Sequence, residues 1–539
     1  MHPHARRLIP ALLIGLINRP LSAQEDSPAK AELPAAQVQA LDRISSDSLR
    51  GHLSFLASDL LEGRESPSKG LDLAAEYIAA QFRRAGLEPV GDDGYFQTAR
   101  WDLAVPDASS FRMEVFAAPD AVFRVDPGQT SLARVGAIDL PPSGVFKADF
   151  RAANAINPEQ VAGKVVLVEV PNVRKLAGPS RRSVSAAVTA FRAKLTTAKA
   201  AWIVNISREI DDAVGLEDRL LEPVNPEASE HLVNLGGTDA NGSDVGAITI
   251  HDPRFATLFD SLLLGPSPMT TVALHLGEPA RRPVKLRNVV GLLRGSDPTL
   301  NDTAVMVTAH YDHIGVRGPT NAPDRIYNGA NDDGSGTVSV VEIASALGSL
   351  KPADRPRRSV LFTTFFGEEH GLLGSRYYGR HPIIPVGKTV ADLNLEQVGR
   401  TDSNEGPQVN TASLTGFGFS EVSNILVKAG EAEGIKVFKH PQNSDAYFGA
   451  SDNQALADLG VPAHTLCVAY QYADYHGAAD HWDKVDYPNM AKVDRGVARA
   501  LLIIANDSLE PRWDEANPKA AKYREAWADR HSKANPPKP

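Results

Sequence analysis

"TAVMVTAHYDH", residues 303–313, decides the fold. From Ala304 to Ala309 the side chains are apolar or β-branched, with no polar face alternating against an apolar one. Such a run reads as a strand covered on both sides. Four further runs share the texture: NVVGLL at 288–293, SVLFTTFF at 359–366, VADLNL at 390–395 and VPAHTLCV at 461–468. Helical patterns such as GTVSVVEIASALGSL, 336–350, lie between them. This alternation predicts an α/β fold, a mostly parallel mixed sheet with helices on both faces. In such sheets ligands sit beyond the carboxyl ends of the strands.

Those ends carry chemistry. The first run closes on His310, Tyr311, Asp312 and His313, and the loop after it, YNGANDDGSGT at 327–337, holds Asp332 and Asp333. The 359–366 run leads to Glu368, Glu369 and His370; the 390–395 run leads to Glu396. Beyond 468 come Tyr475, His476 and Asp480. One acidic residue or histidine in a loop is ordinary, but four strand ends and the 327–337 loop all bearing them imply convergence on a cation. Mixed imidazole and carboxylate donors suit zinc, and two cations about 3.5–4 Å apart can share a bridging carboxylate. Two adjacent aspartates are either a solvated turn or a place where something positive sits. Under the second reading one bridges and the other is its neighbour. Likewise, of Glu368 and Glu369, one can ligate while the other serves as general base; the plainer alternative is an exposed pair at a helix start. Asp312 is placed either to accept the second ring proton of a metal-bound His310 or to serve a turn. His313 and His370 are expected on the surface. No G-x-S-x-G surrounds Ser335, no H-E-x-x-H occurs, and Cys467, within an apolar run, reads as a core thiol.

With 539 residues, 42% hydrophobic and 23% charged, the chain has the composition of a soluble globular protein of more than one unit. Its formal charge of -10 argues against a nucleic-acid partner. MHPHARR followed by LIPALLIGLI and NRPLSAQE reads as an export signal, 1–23, cut after Ala23. The mature protein is therefore expected to be secreted or periplasmic, without membrane insertion. A polar linker is expected at 24–42, ordered structure at 43–110, a smaller β-rich inserted module at 111–280, the main domain at 281–510 and a C-terminal tail at 511–539 that ends frayed in NPPKP, 535–539. The insert is suggested by short runs such as GKVVLVEV, 163–170, and AAWIVNIS, 200–207.

AHYDHIG (309–315), NGANDDGSGT (328–337), FFGEEHGLLGS (365–375), NLEQVGR (394–400) and YHGAADHWDKVDY (475–487) resemble, in order, the motifs of the M28 family of zinc metallopeptidases. Residues 53–90 resemble the segment that opens these enzymes. The resemblance implies a zinc exopeptidase-like fold, two Zn2+ ions and peptide substrates. His310 and Glu396 would hold one zinc, Asp332 would bridge, and Glu369 with His476 would hold the second. Glu368 would be the general base, Asp312 the partner of His310, and the Asp332–Asp333 peptide cis. Glu396 stands where many members have Asp, and Asn453 and Ala455 stand where many have His and Phe. The insert resembles a protease-associated (PA) domain. An aminopeptidase is the first expectation; a glutaminyl cyclase or carboxypeptidase on the same scaffold, or an inactive binding protein, are the alternatives.

Overall fold

A computed structural model describes residues 33–105, 107–117, 121–132, 137–171, 178–208, 220–223, 245–318 and 321–534. The expected export signal lies outside them. The principal sheet has ten strands. Its order is Lys436–Phe438, Thr411–Leu414, Ala463–Cys467, Thr389–Leu395, Ala304–His310, Ser359–Phe365, Ala280–Leu293, Phe96–Val105 and Leu220–Pro223, with Glu88–Pro89 also pairing on Ala280–Leu293. Parallel pairing holds at the centre, where Ala304–His310 lies between Ser359–Phe365 and Thr389–Leu395, and the latter runs beside Ala463–Cys467. Antiparallel strands flank that centre on both sides. Four of the five predicted runs are thus the parallel core of a mixed sheet, and the fifth, 288–293, ends the strand that pairs antiparallel with Ser359–Phe365.

Every residue of the three central strands is buried. Val305, Val307 and Ala309 pack into one core with the helices Ser46–Leu56, Lys69–Arg84, Gly336–Gly348 and Tyr487–Asn506. Ala304 and Met306 face the opposite core, with Tyr378, Phe448, Trp513 and Tyr523. Two-sided burial is what the lack of alternation demanded, and each fully buried Val, Leu or Phe contributes about 1.5–3 kcal/mol. The Gly336–Gly348 helix, apolar on nearly all sides, is enclosed accordingly; all but Ser345 and Gly348 are buried. The N-terminal helices carry local start signals. Ser45 Oγ accepts the Ser48 N–H at 3.2 Å and Ser68 Oγ accepts the Leu71 N–H at 3.0 Å.

Two expectations change. Ala35–Leu41, within the expected linker, is a helix that buries Gln37, Ala40 and Leu41 at spacings of three and four. The expected C-terminal tail contains, ahead of its NPPKP end, the helix Ala521–Ala534, and Trp513, Ala520 and Tyr523 are buried in the second core. Arg530 anchors that helix by donating to the carbonyls of Val386 and Thr389. Its many charged residues hid the apolar contacts just ahead of it.

Residues 112–276 hold a second sheet of eight strands with its own apolar clusters, one around Val165, Leu167 and Phe255, the other around Phe150, Val166 and Phe191. The chain enters this module from Phe96–Val105 and leaves it into Ala280–Leu293; these strands pair antiparallel, with Val105 opposite Ala280. Leu220–Pro223 returns from it to the edge of the principal sheet. Among the described residues no helix is long and apolar enough to cross a membrane.

Candidate metal centre

His310 is the last residue of its strand, 1% exposed. Its Nε2 lies 3.4 Å from Asp332 Oδ1, and the other oxygen of Asp332, Oδ2, lies 2.9 Å from His476 Nε2. One carboxylate therefore presents each of its oxygens to a different imidazole. Glu369 Oε1 is 3.3 Å from the same His476 nitrogen, and Glu368 Oε2 is 3.9 Å from His310 Nε2. Glu396 completes a group with His310 and Asp332 whose donor atoms all lie within 4.8 Å of one another. The seven side chains singled out in the sequence, Asp312 included, converge here.

The geometry refines their surroundings. Asp312 lies beside His310 Nδ1 twice, through its main-chain carbonyl at 3.2 Å and its carboxylate Oδ1 at 3.5 Å. That Oδ1 also accepts the Glu368 N–H at 3.1 Å, so Asp312 ties two strand ends together. Asp333 is joined to Asp332 by a cis peptide. Its carboxylate accepts the N–H groups of Gly336, Gln397 and His310 at 3.0, 3.1 and 3.4 Å, which starts the Gly336–Gly348 helix.

His313 is not a surface histidine. It is fully buried, its Nδ1 2.8 Å from Glu369 Oε1 and its ring edge-on to His476 with centroids 5.6 Å apart. Neither ring nitrogen has an aligned hydrogen-bond partner. With Asp332 and Glu369 it forms a second three-donor group within 4.8 Å. The side of the site expected to hold one imidazole, His476, holds two. Gly329 makes this possible, since a Cβ there would lie 2.4 Å from His313 Cγ. Asp480 has a role that its position alone did not reveal. Its Oδ2 accepts the N–H groups of Asn331 and Asp332 at 2.9 and 3.2 Å and the Tyr472 hydroxyl at 3.0 Å. Asn331 Oδ1 accepts from Gly399 and Arg400, both at 2.8 Å, linking the aspartate turn to the segment after Glu396. Asn453 is buried, donating to the Phe448 carbonyl at 3.0 Å and accepting from Thr465 Oγ1 at 2.8 Å.

So many buried carboxylates strain the local charge. Burial, with Glu396 and Glu369 nearby, lifts Glu368 well above the usual carboxylate range. Burial, with Asp332 close by, pushes Glu396 up to about 7. Burial acts to raise Asp332 as well, and so does Glu369, but the His310 and His476 imidazoles hold it down. Burial would lower His476, yet Glu369 and Asp332 push it up to about 10. Burial likewise opposes charge on His310, but Glu368, Asp312 and Asp332 beside it raise its proton affinity. His310 Nε2 and Glu369 Oε1 are also buried without hydrogen-bond partners. A donor set of imidazoles and carboxylates with unmatched negative charge fits zinc.

Residues 288–501 match the model of peptidase family M28. Over that span the chain is similar to the M28 peptidases. Its sequence is similar to leucine aminopeptidase 2 of Arthroderma otae, 27% identical over 247 residues, 41% of this chain and 45% of the relative. A probable leucine aminopeptidase 2 of Aspergillus oryzae matches at 27% over 248 residues, with the same shares. The matches therefore span less than half the length of these curated relatives. Beyond the matched span, the fold is similar over nearly the whole chain to an aminopeptidase from Aneurinibacillus sp. strain AM-1, with a TM-score of 0.55, 17% identity, and 89% of this chain and 97% of that one covered. A zinc aminopeptidase from Bacillus subtilis gives 0.53, 17%, 87% and 95%. At that identity the likeness is one of fold.

Proposed function

We propose that this chain is an exported zinc-dependent aminopeptidase that releases N-terminal residues from peptides, with two Zn2+ ions sharing Asp332. The observation that carries the reading is the pair of Asp332 oxygens, each facing a different imidazole. His310 and Glu396 would hold one ion. Glu369 and His476, with His313 against them, would hold the other. When bound, such cations acidify water and polarise a carbonyl oxygen.

The remaining work falls to the chain's own groups. Glu368 Oε2 takes a proton from water as the water oxygen bonds to the peptide carbonyl carbon. The carbon–nitrogen bond then breaks, and Glu368 delivers that proton to the departing amine nitrogen. Asp312 fixes the main chain of Glu368 relative to His310. The aminopeptidase assignment draws on the names of the fungal relatives. The export signal is 1–23, and the module at 111–280 is a PA-like domain that shapes the approach to the site.

Assaying purified zinc-loaded protein on peptides with free and acetylated amino termini tests the reading. Cleavage of free termini that disappears on acetylation is expected. Release of C-terminal residues from acetylated peptides would make it a carboxypeptidase, and cyclisation of N-terminal glutaminyl peptides without cleavage would make it a cyclase.

A further inference from the structure

The segment Asp59–Arg64 precedes the span matched by the family model, yet it reaches into the centre. Glu62, Gly63 and Arg64 have φ of 48°, 68° and 52°, so the chain doubles back tightly. At Gly63 a Cβ would lie 2.4 Å from the Tyr327 carbonyl oxygen and 2.8 Å from that of Gly315, so the two backbones touch. This places the Arg64 guanidinium, 1% exposed, behind the aspartates. Nε donates to the Tyr311 carbonyl at 2.8 Å. Nη1 donates to those of Leu56 and Asn328 at 2.5 and 2.7 Å, and Nη2 to that of Gly329 at 2.9 Å. Tyr311 sits between His310 and Asp312, while Asn328 and Gly329 open the turn that delivers Asp332. The contact is returned: the His313 N–H donates to the Arg64 carbonyl at 3.3 Å, and Ser66 Oγ donates to Asp312 Oδ2 at 3.4 Å.

We infer that Arg64 is a positioning residue of the metal centre, whose planar fork sets the spacing between the His310 loop and the Asp332 turn from a segment outside the family-matched domain. The inference rests on the metal reading above. Four bonds to three separate backbone segments use the fixed geometry of a guanidinium, which a lysine ammonium on a flexible stem cannot reproduce. Burial lowers the arginine only to about 10, and Asp312, Asp333, Asp480 and Asp332 favour its charge, so it stays cationic at neutral pH. It therefore balances part of the negative charge without occupying a ligand position.

The test compares wild type, R64K and G63A by chelator competition for zinc, by the absorption spectrum of the cobalt-loaded forms and by melting of the metal-free forms. R64K keeps the charge and loses the fork. It should stay folded, bind zinc about 10–100-fold more weakly, as when other supporting shells of metal sites are removed, and show an altered cobalt spectrum. A merely structural arginine would lower the metal-free melting temperature and leave the spectrum as in wild type. Zinc affinity within twofold of wild type in R64K overturns the inference. So does an R64K chain that cannot fold, because the arginine would then be a folding element. G63A displaces the brace with the guanidinium intact and should reproduce the loss; an unchanged G63A would mean that geometry is not what Arg64 contributes. Wild-type protein that takes up no zinc would instead sink the function proposed above, and this inference with it.

Discussion

Replacing Asp480 with alanine should damage the aspartate turn before any metal is involved. The carboxylate is buried and takes three donors: two main-chain amides, of Asn331 and Asp332, and the Tyr472 hydroxyl. The hydroxyl can rotate to another partner, whereas the two amides are fixed by the turn. A buried donor left unpaired costs about 1–3 kcal/mol, which gives roughly 2–6 kcal/mol for the two. Burial already raises the proton affinity of Asp480. Removing the carboxylate therefore relieves some desolvation, and the lower part of the range, about 2–4 kcal/mol, is expected. Urea unfolding of metal-free protein, with and without the substitution, measures it. A difference below about 0.5 kcal/mol, within ordinary surface-substitution effects, would refute the claim that Asp480 holds the turn. A loss seen only in zinc-loaded protein would also refute it, because the cost is assigned to amides that need no metal.

Glu368→Gln should lower turnover at least about 100-fold, the usual contribution of a general base, while zinc content measured by elemental analysis stays at the wild-type value; activity above a few per cent would exclude the role. His313→Ala should weaken binding of one zinc equivalent about 10–100-fold and spare the other, read by chelator titration. Asp494, buried beneath the sheet on the Tyr487–Asn506 helix, is pushed by burial, with Glu342 nearby, up to about 8 from an ordinary 3.8. Between about pH 4 and 8 the folded chain keeps a proton there that the unfolded chain gives up, so stability falls as pH rises through that window. Asp494→Asn should therefore raise the melting temperature more at pH 8 than at pH 5, and equal shifts at the two values would contradict the sign.

The parallel core and its ligands were legible because both are local signals. A strand with two covered faces shows in its own few residues, and parallel strands gather their carboxyl ends at one edge, so His310, Glu368 and Glu396 could be assembled without tertiary knowledge. What escaped depends on contacts between distant residues. His313 is buried because Gly329, sixteen positions on, lacks a Cβ. Arg64 meets Tyr311 across 247 positions, and Asp480 meets Asp332 across 148. No periodicity or spacing encodes such meetings. The helices Ala35–Leu41 and Ala521–Ala534 were hidden for another reason: polar or charged surroundings masked the few apolar side chains that dock there.

The antiparallel pair Phe96–Val105 and Ala280–Leu293 makes the smaller module resemble a graft on a forked stem. Val105 and Ala280 stand opposite one another, so excising what lies between them, which includes the short edge strand Leu220–Pro223, leaves ends about 4.5–5.5 Å apart. A two-residue hairpin can span that gap. Sequence added or lost at this junction leaves the His310, Asp332 and Glu368 segments undisturbed in register, which makes it a point where the chain can change size without redesigning its chemistry.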